Sequence, residues 1–213
     1  MTRREWGDLA LENVRGVIAG HAGHERLYAV LQAYLDESGT HDSSKVASVG
    51  GFLFDADGLL EFSTAWAAES KELESPFRTS ACFSGDDQFV GWPIAKRELL
   101  HGKLARLIVR TRTLGIGVTV RQDVVRDILQ KVPSALTSII SPYTVCVLDW
   151  INQARQWAER VEYKGIIHYH IEQGESNQKA TNDFLLQFRQ NPDMRRNYFL
   201  GDIAFSDKRY NHG

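Results

Sequence analysis

Residues 31–41 read "LQAYLDESGTH", an apolar run that finishes on two adjacent carboxylates, Asp36 and Glu37, before a Ser-Gly turn. From Leu27 to Asp36 apolar side chains run almost without interruption, which predicts a buried strand. Successive side chains on a strand point to opposite faces. Tyr34 and Asp36 therefore share one face, and Leu35 and Glu37 the other. This gives Asp36 the site-facing side and leaves Glu37 as a helper at the rim. A plainer reading stands beside it, because Asp-Glu-Ser-Gly is turn chemistry and acids at strand ends often cap the turn that follows.

Working outward, residues 46–54, "VASVGGFLF", predict a second strand, joined to the first as an antiparallel hairpin. Asp57 is placed to cap a helix over 58–74 that Pro76 ends. Residues 77–93, rich in Ser, Gly and Asp, read as a loop, and a second helix follows from about 94 to 112. Its inner stripe is expected to be Leu99, Leu100, Leu104, Leu107 and Ile108. "GIGVTV" at 115–120 is a third strand, and Pro133 and Pro142 bound a loop before a long helix over 143–161. A fourth strand at 165–174, a helix from a Ser176 cap to 190, and a fifth strand at 197–207 complete the order. Residues 1–26 read as an N-terminal extension with a short helix. The expected domain spans 27–213, with a helical insertion at about 57–114 between the second and third strands. An opening hairpin followed by strand–helix–strand units predicts an α/β fold, a mixed five-stranded sheet flanked by helices.

The fourth strand, "GIIHYHIEQG", repeats the pattern of the first. His168, His170 and Glu172 alternate with Ile167, Tyr169 and Ile171, so one face carries three polar groups and ends in a carboxylate. Glu175 follows across the turn. If the first and fourth strands are adjacent and parallel, Asp36 and Glu172 meet at their C-terminal ends. Such a pair, with one or two further acids, would hold Mg²⁺ or Mn²⁺, which prefer oxygen ligands. Two such ions would support phosphodiester hydrolysis. Against this, strand-face histidines are more often hydrogen-bonded than ligating, and zinc would need a third strong ligand.

Composition removes several alternatives. The 213-residue chain is 43% hydrophobic, enough for a full core, and its formal net charge of −2 does not suit a protein that coats DNA with global positive charge. Cys82 and Cys146 have neither disulfide-framework nor zinc-finger spacing. There is no GxGxxG after the first strand and no GxxxxGK[ST], so nucleotide-binding motifs have no support. No apolar run approaches membrane-spanning length, and Met1 is not followed by a signal-peptide pattern, so a soluble, cytoplasmic protein is expected.

"AYLDESGTH" followed by "SVGGFLF" resembles the opening of the domain-of-unknown-function 3800 family, whose members start with a Tyr-(Ile/Leu)-Asp-Glu-Ser-Gly strand and a Gly-Gly hairpin partner. "HIEQGE", then a helix, then "IAFSDKRYNHG" follows that family's order, and the resemblance covers about 27–213. It implies a ribonuclease H-like fold and a metal-dependent nuclease-type site, with Asp36 and Glu37 as the family's Asp-Glu pair and Glu172 as the second acid, all three catalytic; Asp36 and Glu172 are the expected metal ligands, with Glu175 and Asp207 beside them as further candidates. The family's closing Gln-x-Ala-Asp helix would supply a further acid. The sequence reaches Gly213 where that helix is expected to begin, so an incomplete acid set is also an expectation, with Asp207 as substitute.

A nuclease needs a track for phosphates. Lys96, Lys103, Arg106 and Arg110 recur on one face of the second helix, and Lys208 and Arg209 follow the last strand. Solvation alone explains charges on an outer helix face. Trp92, Trp150 and Trp157 could stack bases, although Trp150 and Trp157 sit at core spacing. Three functions follow as expectations: a metal-dependent nuclease or related phosphoryl-transfer enzyme acting on nucleic acid, a non-catalytic binding or assembly module on the same fold, and a small-molecule hydrolase using the same acids. The sequence is compatible with a homo-oligomer and specifies none.

Overall fold

In the first strand, alternation controls burial. Leu31, Ala33 and Leu35 are almost completely buried, while Tyr34 is half-buried and Asp36 exposed. The computed structural model describes residues 30–39, 44–131, 140–173 and 179–207. The N-terminal extension, the start of the first strand at 27–29, Ser176, Glu175, Lys208 and Arg209 lie outside the described residues.

Five strands form one mixed sheet: β1 (Val30–Ser38), β2 (Val46–Phe54), β3 (Leu114–Arg121), β4 (Ile166–Gln173) and β5 (Leu200–Asp207), in the order β3-β2-β1-β4-β5. β1 pairs antiparallel with β2, and β2 with β3; β1 pairs parallel with β4, and β4 with β5. The mixed sheet expected from the sequence is thus present. β1 is the strand at which the direction of pairing changes.

The described helices, in chain order, are α1 (Ala56–Glu69), α2 (Thr79–Ser84), α3 (Ile94–Thr111), α4 (Gln122–Leu129), α5 (Pro142–Arg160), α6 (Lys179–Gln190) and α7 (Pro192–Asn197). α5 lies against β2 and β3, and α6 and α7 against β5. Trp150 of α5, fully buried, donates its indole N–H to Ile116 O at 3.2 Å and stands edge-on to Tyr169. The core on this face joins Leu31, Ala33, Leu35, Val49, Leu53, Ile151, Ile167, Tyr169, Ile171 and Leu185.

The described residues divide into two compact units. Residues 30–55 and 114–207 carry the sheet, and 56–113 form the other unit, with a core of Leu73, Ala81, Cys82, Phe89, Leu100 and Leu104.

Several local expectations need correction. α1 starts at Ala56, so Asp57 lies in its first turn rather than at its cap, and it ends at Glu69. Leu99 is 58% exposed, because the buried stripe of α3 runs through Leu100, Leu104, Leu107 and Thr111 and Leu99 falls outside that arc. The 77–93 stretch contains α2 and a 3₁₀ turn at Asp87–Phe89. Pro142 opens α5 at its first helical position, where its missing N–H costs nothing.

Candidate functional site

The site begins with a backbone register. Leu35 of β1 pairs with Ile171 of β4, and both side chains are buried under the helices. The next residues along the two parallel strands are Asp36 and Glu172. Neighbouring strands lie about 4.8 Å apart, so the two carboxylates emerge side by side from the C-terminal strand ends. Both leave the face opposite Leu35 and Ile171. Asp36 is exposed, and its Oδ1 accepts the Glu37 N–H at 2.7 Å. Glu172 is half-buried.

Glu37 takes the opposite side. It follows Leu35 in the alternation, on the helix-covered face, and is half-buried where Asp36 is exposed. On β5, Ser206 is the register partner of Glu172, and Asp207 pairs with Gln173 instead. Asp207 is described by this backbone pairing alone.

Gly117, Gly50 and Asp36 are register partners in one row across β3, β2 and β1, and Glu172 pairs with Ser206 on the β4–β5 side. Among the described residues, a Cβ added at Gly50 or Gly117 would meet nothing within 4 Å, so none of them covers the backbone beside Asp36. Gly51 differs: its Cβ would stand 2.6 Å from Tyr34 O and 3.1 Å from the Trp150 ring.

The histidines of β4 occupy the rows behind. His170 stacks on Tyr34 at 4.7 Å, with Nε2 2.8 Å from Gln32 Oε1. His168 Nδ1 accepts the Asp202 N–H at 3.2 Å, which requires that nitrogen to be unprotonated. Burial lowers both pKa values; at His168 the Asp202 charge opposes the shift and Arg189 and Arg195 add to it, and at His170 the neighbouring His168 adds to it. Both are hydrogen-bonded histidines whose charged form burial disfavours.

Tyr143, in the first turn of α5, is a site neighbour that sequence reasoning passed over. It is 6% exposed, and its hydroxyl has no hydrogen-bond partner among the described residues. Burial, followed by the charges of Glu37 and then Asp36, raises its pKa well above the usual phenol value. The available signal was Ser141-Pro142, a helix start that puts Tyr143 in the opening turn. Ser141 caps α5 in a reciprocal capping box with Thr144, whose hydroxyl also meets Thr181 Oγ1 at 2.7 Å.

Asp36 and Glu172 supply hard oxygen donors of the kind Mg²⁺ and Mn²⁺ take, and Mg²⁺ often needs only one or two carboxylates and keeps several waters. The donor set fits such an ion in part. Among the described residues no three His, Cys, Asp or Glu side chains gather as a metal-binding group.

In the 56–113 unit, the cationic stripe faces acids of α1 and the segment after it. Lys96 pairs with Glu72, Lys103 with Glu69 and Arg110 with Glu61, each at 2.9 Å. Arg106 has no carboxylate partner among the described residues. Lys96 also lies over the Trp92 ring, 3.7 Å from its centroid. Trp150 is core, and Trp157 packs against it.

A cleft of about 990 Å³ opens at the other end of β4, lined by Tyr163, Lys164, Arg189, Arg195, Arg196 and Phe199 among others, and it excludes Asp36 and Glu172. No described helix is long and apolar enough to cross a membrane. Compared with models of protein families and with curated proteins, the chain matches none.

Proposed function

We propose that this protein is a divalent-metal-dependent nuclease, or a related phosphoryl-transfer enzyme acting on nucleic-acid phosphodiesters, built on a ribonuclease H-like sheet and akin to the domain-of-unknown-function 3800 family. The mixed sheet supports the fold, with an antiparallel opening hairpin and later parallel strands. One observation carries the functional reading: Leu35 pairs with Ile171 across parallel β1 and β4, so that the next residues at the C-terminal ends of these strands are Asp36 and Glu172. Ligands of open α/β sheets bind outside such strand ends, where the strand order switches direction, and β1 is that point here.

In this reading Asp36 and Glu172 hold the ion and Glu37 assists from the other face. Asp207 and Glu175 are further candidate ligands. Bound there, Mg²⁺ or Mn²⁺ would polarise a phosphoryl oxygen and make water a better nucleophile. The bare backbone at Gly50 and Gly117 leaves room for a phosphodiester to approach Asp36. Lys96, Lys103, Arg106, Arg110, Lys208 and Arg209 are the proposed nucleic-acid contacts, and cytoplasmic localisation belongs to the same proposal.

The test is incubation of the protein with Mn²⁺ or Mg²⁺ and a panel of single- and double-stranded DNA and RNA. Metal-dependent cleavage that Asp36→Asn abolishes is the expected result; cleavage that survives this substitution overturns the assignment. The pairing of three stripe cations with acids favours a second reading, a binding or assembly module without catalysis. That module would show no metal-dependent thermal stabilisation attributable to Asp36.

A further inference from the structure

We infer that the cleft at the start of β4 is a second binding site, one that takes a nucleoside monophosphate. Lys164 and Arg195 bind its phosphate, Glu162 accepts from its hydroxyl or amino groups, and its base lies against Tyr163 and Phe199. The cleft and Glu172 lie at opposite ends of β4, roughly 20 Å apart at about 3.3 Å per residue. The site therefore stands independently of any ion held at the carboxylate end.

Three chain segments meet here, all within the unit that carries the sheet. The first is the turn from α5 into β4, held by the Tyr163 N–H donating to Ala158 O at 2.8 Å and the Tyr163 hydroxyl donating to Ile166 O at 2.8 Å. The second is the end of α6, which carries Arg189. The third is α7 with the turn into β5, tied to β4 by the Ile167 N–H donating to Phe199 O at 2.7 Å. The half-buried rings of Tyr163 and Phe199, 6.0 Å apart between centroids, form an apolar wall. Among the described non-glycine residues Asp87, Glu162 and Phe199 alone have positive φ, and the last two, at 52° and 55°, both line the cleft. Backbone held in that sparsely populated region gathers at ligand sites.

Charge decides the class of ligand. Lys164, Arg189, Arg195 and Arg196 line a cleft of about 990 Å³, at the upper end of the size of small-molecule sites. Arg189 is engaged by Asp202, and Arg196 reaches Asp193 at 3.8 Å. Lys164 and Arg195 are exposed and have no carboxylate partner among the described residues. Both can close on a phosphate, Arg195 with its planar fork and Lys164 as a point charge. Two acids line the same cleft, Glu162 and Glu159, the latter bonded to Arg155 at 2.7 Å. They oppose a nucleic-acid strand, whose successive phosphates they would repel. A single phosphate can sit by the cations while a ribose hydroxyl or a base amino group donates to Glu162, as nucleotides donate to acids elsewhere. The aromatic wall suits a flat base.

The test is calorimetric titration in EDTA with the four 5′-nucleoside monophosphates, and with inorganic phosphate and the parent nucleosides as separate arms. At least one nucleotide should bind, about tenfold or more tightly than phosphate or its own nucleoside. Arg195→Ala and Lys164→Ala should each weaken it about tenfold, the loss of one charge-assisted bond, with melting temperatures unchanged because both side chains are exposed. Glu162→Gln should weaken the nucleotide and leave phosphate binding unchanged or tighter. Asp36→Asn should leave nucleotide affinity unchanged, since EDTA keeps the ion site out of the measurement. Three results overturn the inference: no binding by any of the four nucleotides, equal affinity for inorganic phosphate, or wild-type affinity in both Arg195→Ala and Lys164→Ala. A short single-stranded oligonucleotide that binds more tightly than any mononucleotide, and loses that affinity in Arg195→Ala, would assign the cleft to a nucleic-acid strand and overturn it as well. Metal-dependent cleavage stands or falls separately from each of these outcomes.

Discussion

Leu35 and Ile171 are register partners across parallel β1 and β4, each almost wholly buried. Their pairing fixes what comes next: one step further on, both strands reverse face and present a carboxylate. The same packing that closes the core therefore aligns Asp36 with Glu172. Two carboxylates that share an ion act as a unit, so their losses should not add. In calorimetric Mn²⁺ titrations, Asp36→Asn and Glu172→Gln should each remove most of the affinity, and the double variant little more. Independent, additive losses would mean that the two acids serve different sites.

The glycine pair in β2 allows a sharper separation of stability from access. Gly51 faces Trp150, and a Cβ there would stand 2.6 Å from a backbone oxygen. Gly51→Ala should cost about 1–3 kcal/mol as overpacking does. Gly50→Ala meets no atom of the described residues within 4 Å and should be neutral, or stabilising by up to about 1 kcal/mol. Gly50→Leu should keep the melting temperature while lowering any cleavage, since its side chain would fill the space beside Asp36. Denaturant melts and cleavage assays on the three variants check this; a destabilised Gly50→Ala would contradict the open geometry.

His168 sets an acid limit on stability. Its pKa is lowered chiefly by burial, with Arg189 and Arg195 contributing and Asp202 opposing. The unfolded histidine titrates near about 6.5, so on acidification the unfolded chain takes up a proton before the native one does. The stabilisation is complete above that value and is lost as pH falls through the lower native pKa. Melting temperature should therefore drop between about pH 7.5 and 5.5. His170 is shifted in the same direction and contributes to the same slope. His168→Gln should flatten the slope, and an unchanged slope would remove His168 from the account.

How much of this was legible depends on how local the cause is. The face alternation of β1 and β4 is written in "LQAYLDESG" and "IIHYHIEQ", because period two is a property of the backbone. Adjacency of the two strands stood only as a condition, because β2, β3 and α5 come between β1 and β4 in the chain. The short helices were harder. α2 and α4 have Arg78 and Arg121 at their N-caps, neither of which makes a side-chain cap bond. α2 is held instead by the buried Ala81 and Cys82 and closed by Gly85 at φ 83°. α7 did carry a signal, since Asn191 caps it ahead of Pro192. Tyr143 was out of reach for another reason: an unpartnered hydroxyl is a fact about three-dimensional neighbours, and an aromatic at helical spacing reads as ordinary core.

The cationic stripe of α3 provides the most direct separation of nucleic-acid binding from plain surface chemistry. Glu61, Glu69 and Glu72 hold Arg110, Lys103 and Lys96 in exposed ion pairs. Exposed pairs contribute little to stability, so replacing the three acids with Gln should leave the melting temperature nearly unchanged. If the stripe contacts phosphates, those acids compete with the substrate. Their removal should then tighten binding to a labelled oligonucleotide. The salt dependence should also steepen by about one unit for each cation that gains a phosphate contact. Lys103→Ala and Arg106→Ala should act in the opposite direction. Unchanged affinity and slope in the triple Gln variant would assign the stripe to pairing between its own helix and the neighbouring acids, and would favour a partner for the carboxylate end of the sheet that does not run along α3.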